Sequence, residues 1–315
     1  MKKFLLIIMS MFILCAAAGC GGSDKTLPAQ KTSGGITVTD DNGRTVTLNG
    51  VPQKIVPLSA SFLEPLHNLN AKVAARVSAK AGILDEYKNL PDVGNVYNIN
   101  IEKVIEQQPD LVIAYKDMND KFVRNFEENG IPVVVLEMRT YAQVKNTVGV
   151  LGKICGCEDK AKQLNEAMDE RIADVKAKML DKKLRIAILH STAQNVTVQL
   201  EGSIAGSTAE LVGFDNIAAG SVPLENNPTA APYSMETLVA ADPDIIYITS
   251  MGKLETIKAA MQKSIEQSPA WQSLPAVKAG RVYYLPQEMF LLSPGVHYPE
   301  AAEYMAELAY PDSFK

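Results

Sequence analysis

Glu102-Lys-Val-Ile-Glu-Gln-Gln-Pro-Asp-Leu-Val-Ile-Ala-Tyr115 and Glu236-Thr-Leu-Val-Ala-Ala-Asp-Pro-Asp-Ile-Ile-Tyr-Ile-Thr249 align without a gap, the second following the first by 134 residues. Each block reads as a short helix that Pro-Asp stops, followed at once by an apolar run without polar alternation. Such a run is a strand buried on both faces, as in a parallel sheet. Asn100 and Ser234 stand two residues before each Glu, where a side-chain oxygen caps a helix. Self-similarity at a fixed offset points to two similar lobes.

The pattern around the blocks agrees. In the first half, strands are expected at 54–58, 72–77, 110–115 and 131–136, with helices at 62–69, 101–108 and 117–129, the last closing at Gly130. From 141 to 183 no strand signal appears, only helical periodicity broken once at Cys155-Gly-Cys157. Strands at 185–189, 195–200, 244–249 and 281–285 then alternate with helices at 207–212, 235–241, 254–266 and 298–308. The expected fold is α/β, with an N-terminal lobe over 36–140, a helical linker over 141–183 and a C-terminal lobe over 184–315.

The first residues decide where such a chain works. Lys2 and Lys3 precede the apolar run 4–14, and Ala16-Ala-Ala-Gly19 leads to Cys20, the charged, apolar and small-residue order of an export signal. The run is too short to span a bilayer comfortably. Ala17-Ala-Gly-Cys20 resembles the lipobox at which bacterial lipoproteins are cleaved and lipidated, with Ala17 in place of the more usual Leu. The polar, Gly-rich stretch that follows has the composition of a flexible tether. The expectation is a signal peptide over 1–19, lipidation at Cys20 and a tether over 20–35, with a plain secretory signal as the alternative. The chain of 315 residues carries 31 Lys and Arg against 36 Asp and Glu and shows no basic block, so nucleic acid is not an expected partner.

The two Pro-Asp blocks, the opening Thr39-Asp-Asp-Asn-Gly-Arg-Thr-Val46 and the closing Gly280-Arg-Val-Tyr-Tyr284 with Tyr310-Pro311 together resemble one family. It is the extracytoplasmic substrate-binding proteins of ABC importers for siderophores, heme and cobalamin, and the pattern is closest to Gram-positive heme-binding lipoproteins. The resemblance runs from about residue 36 to 314. It implies two Rossmann-like lobes with parallel sheets joined by a long rigid helix, the class III binding-protein fold. It also implies a monomer that holds an iron complex between its lobes and passes it to a permease driven by a cytoplasmic ATPase. No resident cofactor is expected, heme or a ferric siderophore being cargo. Cobalamin is the alternative cargo, and an exported α/β lipoprotein enzyme the alternative class.

By the family's pattern, Glu102 and Glu236 are the acids that dock to the permease. An acid in a helix's first turn is also favoured by the macrodipole, by about 0.3–1 kcal/mol, which is a sufficient reason for either one alone. Ligand residues are expected in loops after strand ends, where open α/β sheets bind. Tyr97, in the loop from Gly94 that by the resemblance carries a ligand-contacting residue, and Met251, after the strand of the second block, face each other in this reading and supply a phenolate and a thioether as axial ligands for heme iron. The family's heme binders use other residue types there. A stacking wall for Tyr97 and gap-filling for Met251 are the plainer roles. Lys116 and Arg139 follow strand ends and suit an anionic ligand, or are solvated surface charges. His190 and His297 are further candidates, each with an ordinary hydrogen-bonded role as alternative.

Cys155 and Cys157 are expected as packing residues, because one intervening residue strains a disulfide and no second pair completes a metal site. Neither a Gly-x-Ser-x-Gly elbow nor a phosphate-binding Gly-rich loop occurs, so no enzymatic chemistry is signalled.

Overall fold

The computed structural model describes residues 35–80, 82–180, 182–292 and 294–315. The expected signal peptide, Cys20 and all of the tether except Gly35 lie outside the described residues.

The repeat has the same construction in both halves. Asn100 Oδ1 accepts from the Lys103 N–H at 3.0 Å, and Ser234 Oγ from the Thr237 N–H at 3.3 Å, capping helices Ile101–Glu106 and Met235–Ala241. A residue before proline is driven out of the right-handed helical region. Gln108 and Asp242 adopt the left-handed one, at φ 50 and 45, and end the two helices alike. The aspartate that follows sets the sheet. Asp110 accepts from the backbone N–H groups of Gln53 and Lys54 at 2.6 and 2.9 Å, and Asp244 from that of Arg185 at 2.9 Å. Each carboxylate therefore grips the start of the neighbouring parallel strand and fixes the registers Ile55↔Leu111 and Ile186↔Ile245.

In the first half, strands Ile55–Pro57, Leu111–Tyr115 and Val133–Leu136 form a parallel sheet in that order. Ile55, Leu111, Ile113, Val134 and Leu136 face one core, and Val56, Val112, Ala114, Val133 and Val135 face the other. The strand expected at 72–77 is instead two isolated bridges, Ile55↔Val73 and Arg76↔Asp92. The Ile55 N–H donates to the Lys72 carbonyl and the Ala74 N–H to the Ile55 carbonyl, both within 2.9 Å. The next rung needs an N–H from residue 57, which is proline, so the ladder stops.

In the second half, Arg185–Ser191 pairs in parallel with Ile245–Ser250, which pairs in parallel with Val282–Tyr284. Beside these parallel pairs Val196–Gln199 returns antiparallel and carries antiparallel Ala230–Pro232 on its far edge. Only residues 192–195 separate it from the preceding strand, and a parallel crossover needs about a dozen residues.

Between the sheets lie two helices, Tyr141–Ile154 and Glu158–Lys178. Thr140 and Gln143 form a reciprocal cap at the first. Gly152 lets the pair approach, because a Cβ there would stand 2.3 Å from that of Ala161. Cys155 and Cys157 are free thiols packed against the first core. The 21-residue second helix, about 31 Å long, places Ala161 and Met168 in the first core and Ile172 and Val175 in the second. Ile204 and Tyr298, from the second half, are buried in the first core as well. The Tyr298 hydroxyl donates to the Arg139 carbonyl at 2.5 Å, and the Tyr141 N–H to Ser207 Oγ at 3.1 Å. Shared apolar packing, rather than a flexible hinge, holds the halves together.

Candidate functional site

A cavity of about 280 Å³ opens where the C-terminal ends of the two sheets meet. Tyr97, Tyr115, Met118 and Arg139 come from the first half; Gln199, Thr229, Met251, Phe290 and Leu292 come from the second. Cavities of about 520 and 680 Å³ lie elsewhere, but each is lined by one half alone. The smaller space is the one that both halves build at strand ends, the usual ligand position of open α/β sheets.

Tyr97 sits at the tip of a short hairpin of Gly94–Asn95 and Asn98–Ile99. Gly94 has φ 102, and a Cβ there would meet the Asn98 carbonyl at 2.5 Å, so the tip requires glycine. Asn95 Oδ1 accepts from the N–H groups of Tyr97 and Asn98 at 3.1 Å each, and the Lys121 ammonium donates to the Tyr97 carbonyl at 3.1 Å. Buried Asn119 completes the anchoring, accepting from the Tyr115 N–H at 2.8 Å and donating to the Val96 carbonyl at 2.6 Å. The backbone is fixed while the residue as a whole is 64% exposed. Met251 follows Ile245–Ser250, an interior strand of the second sheet, and is 53% exposed. Open aromatic and thioether surface, with Leu292 beside it, is what a large ligand with an apolar face would cover.

Arg139 lines the cavity, and Lys116 does not. The Lys116 ammonium donates to the Asp41 carbonyl at 3.0 Å and lies 3.9 Å from Glu137. His190 and His297 also stand outside the lining residues. The imidazole of His190 bonds to Thr249 Oγ1 at 3.0 Å, and burial holds its pKa below the usual value. His297 lies 2.7 and 2.8 Å from the two oxygens of Glu64 and 3.1 Å from Glu300. The bond to Glu64 raises its pKa to about 9 against opposing desolvation, with help from Glu300. All three side chains are occupied by protein partners, so neither a place at a strand end, for Lys116 and His190, nor one before the last helix, for His297, puts them in the cleft.

Sequence reasoning missed Tyr115, Gln199 and Phe290, which line the cavity but read as ordinary strand or helix residues. Tyr115 is the last residue of a buried strand, and desolvation raises its hydroxyl pKa to about 12. It also missed Glu137, directly after strand Val133–Leu136, whose carboxylate lies 3.3 Å from Arg139. Burial raises the Glu137 pKa, and the cations Arg139 and Lys116 oppose the shift. An acid directly after a buried strand was the available signal. Among the described residues no group of His, Cys, Asp and Glu forms a metal site.

Glu102 and Glu236 are exposed and have no side-chain partner among the described residues. The caps are supplied by Asn100 and Ser234, and the register by Asp110 and Asp244. The fold therefore uses every polar residue that the two blocks share except these glutamates.

Two halves around a cleft, the paired Pro-Asp blocks and the rigid helical connection are matched by a family model described as periplasmic binding protein, over residues 55–289. The chain belongs to the periplasmic binding protein family. It is 28% identical over 312 residues to YvrC, an uncharacterized ABC transporter substrate-binding lipoprotein of Bacillus subtilis, covering 95% of this chain and 94% of that one. It is 26% identical over 298 residues to the Fe(3+)-citrate-binding protein YfmC of the same organism, covering 89% and 88%. The crystal structure of Staphylococcus aureus IsdE complexed with heme superposes with a TM-score of 0.69 at 21% identity, covering 82% of this chain and 98% of that one. As a periplasmic binding protein the chain binds a substrate and is not an enzyme. No helix among its described residues is long and apolar enough to cross a membrane.

Proposed function

We propose that this periplasmic binding protein captures an iron complex in the cleft and delivers it to an ABC permease driven by a cytoplasmic ATPase. Tyr97 and Met251, exposed on opposite halves of one cavity that contains Arg139, carry the reading. The similarity to YvrC, YfmC and IsdE supports the transporter class and the iron-complex cargo. Heme is the favoured ligand, with the phenol and the thioether available as axial groups. A ferric siderophore is the second reading, and the similarity to YfmC favours it. Glu102 and Glu236 act as the docking acids, one on each half, since charges on a rim steer and orient a partner. The protein works outside the cytoplasmic membrane, as a monomer held by lipid on Cys20.

Absorption and intrinsic-fluorescence titrations of the mature chain with hemin, a ferric siderophore and cobalamin test the proposal. Heme ligation gives a sharp Soret band that Tyr97→Ala and Met251→Ala each alter. Tight binding of a siderophore or cobalamin with no hemin band refutes heme and keeps the transport role, whereas turnover of any ligand refutes that role.

A further inference from the structure

Arg139 is the one cation among the described residues that line the cleft, and no carboxylate shares the lining. Left alone it would select anions. The groups behind it prevent that. Glu137 Oε1 lies 3.3 Å from Arg139 Nη2, and Asp117 Oδ2 lies 3.9 Å away. The other Glu137 oxygen is 3.9 Å from Lys116 Nζ, and Asp41 joins the group by accepting from the Glu137 N–H at 2.7 Å. Glu137, Asp117 and Asp41 thus stand against Arg139 and Lys116, three carboxylates around two cations. The Glu137 side chain is only 10% exposed, so water screens its pairing with Arg139 far less than it would a rim contact.

On the other wall, Gln199 is 7% exposed and its side-chain amide bonds to no described residue, while neighbouring Ser203 and Thr229 bond within the protein. Gln199 lines the cleft, where a ligand can bond to an amide that the described residues leave without a partner. It offers a neutral hydrogen bond rather than a charge.

We propose that Glu137 is a positioning and specificity-determining residue that acts through Arg139. Its carboxylate occupies the guanidinium from behind, so the cleft discriminates against strongly anionic complexes and accepts those of low net charge. Gln199 then makes a neutral polar contact from the opposite wall. This inference rests on the reading of the cleft as an iron-complex site, and it ranks hemin and neutral ferric hydroxamates above ferric citrate.

Fluorescence titrations of the parent chain, Glu137→Gln and Glu137→Ala with ferric citrate, hemin and a neutral ferric trihydroxamate test it. The parent should bind ferric citrate at least about tenfold more weakly than the tighter of the other two. Both variants should narrow that gap by about tenfold, through tighter ferric citrate binding, while the trihydroxamate changes by less than about threefold. A merely structural role would weaken all three complexes together. Unchanged affinity ratios in folded variants, or a parent that prefers ferric citrate, overturn the role of Glu137. A parent that binds none of the three overturns the iron-complex reading itself.

Discussion

His297→Gln should remove a pH-dependent tie between the two halves. His297 joins Glu64, in helix Leu63–Asn68 of the first half, to Glu300, in helix Tyr298–Ala309 of the second. Arg171, on the long connecting helix, reaches the same Glu300 at 2.7 Å. Burial opposes ionisation of Glu300, but its bonds to Arg171 and His297 outweigh this and lower its pKa. The pKa of His297 rises from 6.5 to about 9. A raised pKa means that the folded state holds the proton more tightly, so the contribution is full below pH 6.5 and is lost as pH climbs through 9. A displacement from 6.5 to about 9 would be worth about 3.4 kcal/mol away from solvent. The side chain is 52% exposed, and solvent screening reduces this to about 1 kcal/mol. Urea unfolding of the parent and the variant at pH 6 and pH 9.5 isolates the effect from other titrating groups. The parent should be more stable by about 1 kcal/mol at pH 6, and the difference should vanish at pH 9.5. A difference that is constant across this range, or larger at pH 9.5, refutes the reasoning.

The repeat blocks allow a contrast between residues of the same charge. Asp244→Ala should cost about 1–2 kcal/mol in urea unfolding, because the Arg185 N–H loses its acceptor, whereas Glu102→Ala and Glu236→Ala should change stability by less than about 0.5 kcal/mol. Those two glutamate variants should lower uptake in cells while ligand affinity stays the same; weakened binding would place the acids in the cleft instead. Cys20→Ala should give an unanchored protein or an uncleaved precursor, scored by membrane fractionation and the mass of the N-terminus; a variant still held in the membrane fraction argues against lipidation there. Because one helix packs into both cores, the radius of gyration from solution scattering should be nearly the same with and without saturating ligand, and a marked contraction would point to hinge closure.

How far the sequence reached is clearest in the Pro-Asp blocks. Helix, proline stop and buried strand follow from local rules, because capping, the conformation before proline and unbroken apolar runs act over a few residues. Two-lobe α/β organisation, both N-caps, the turn at Gly130 and the packing role of Cys155 and Cys157 were legible in the same way. Met251 and Arg139 line the cavity from loops where a strand run ends, the signal that singles them out, whereas Tyr97 is singled out by the family resemblance of its loop. Other features depended on partners distant in the chain. Pro57 ends a ladder only because residues 72–74 lie beside it, and Asp110 fixes a register by reaching residues 53 and 54. Lys116 and His190 carried the same strand-end signal as Arg139, and His297 stood before the last helix, yet Asp41, Thr249 and Glu64 hold these side chains outside the cavity lining. Pattern and propensity report which groups a segment offers. Which of those groups remain free for a ligand depends on the Coulombic and hydrogen-bonding partners that tertiary packing brings within about 4 Å, and no local stretch encodes that distance.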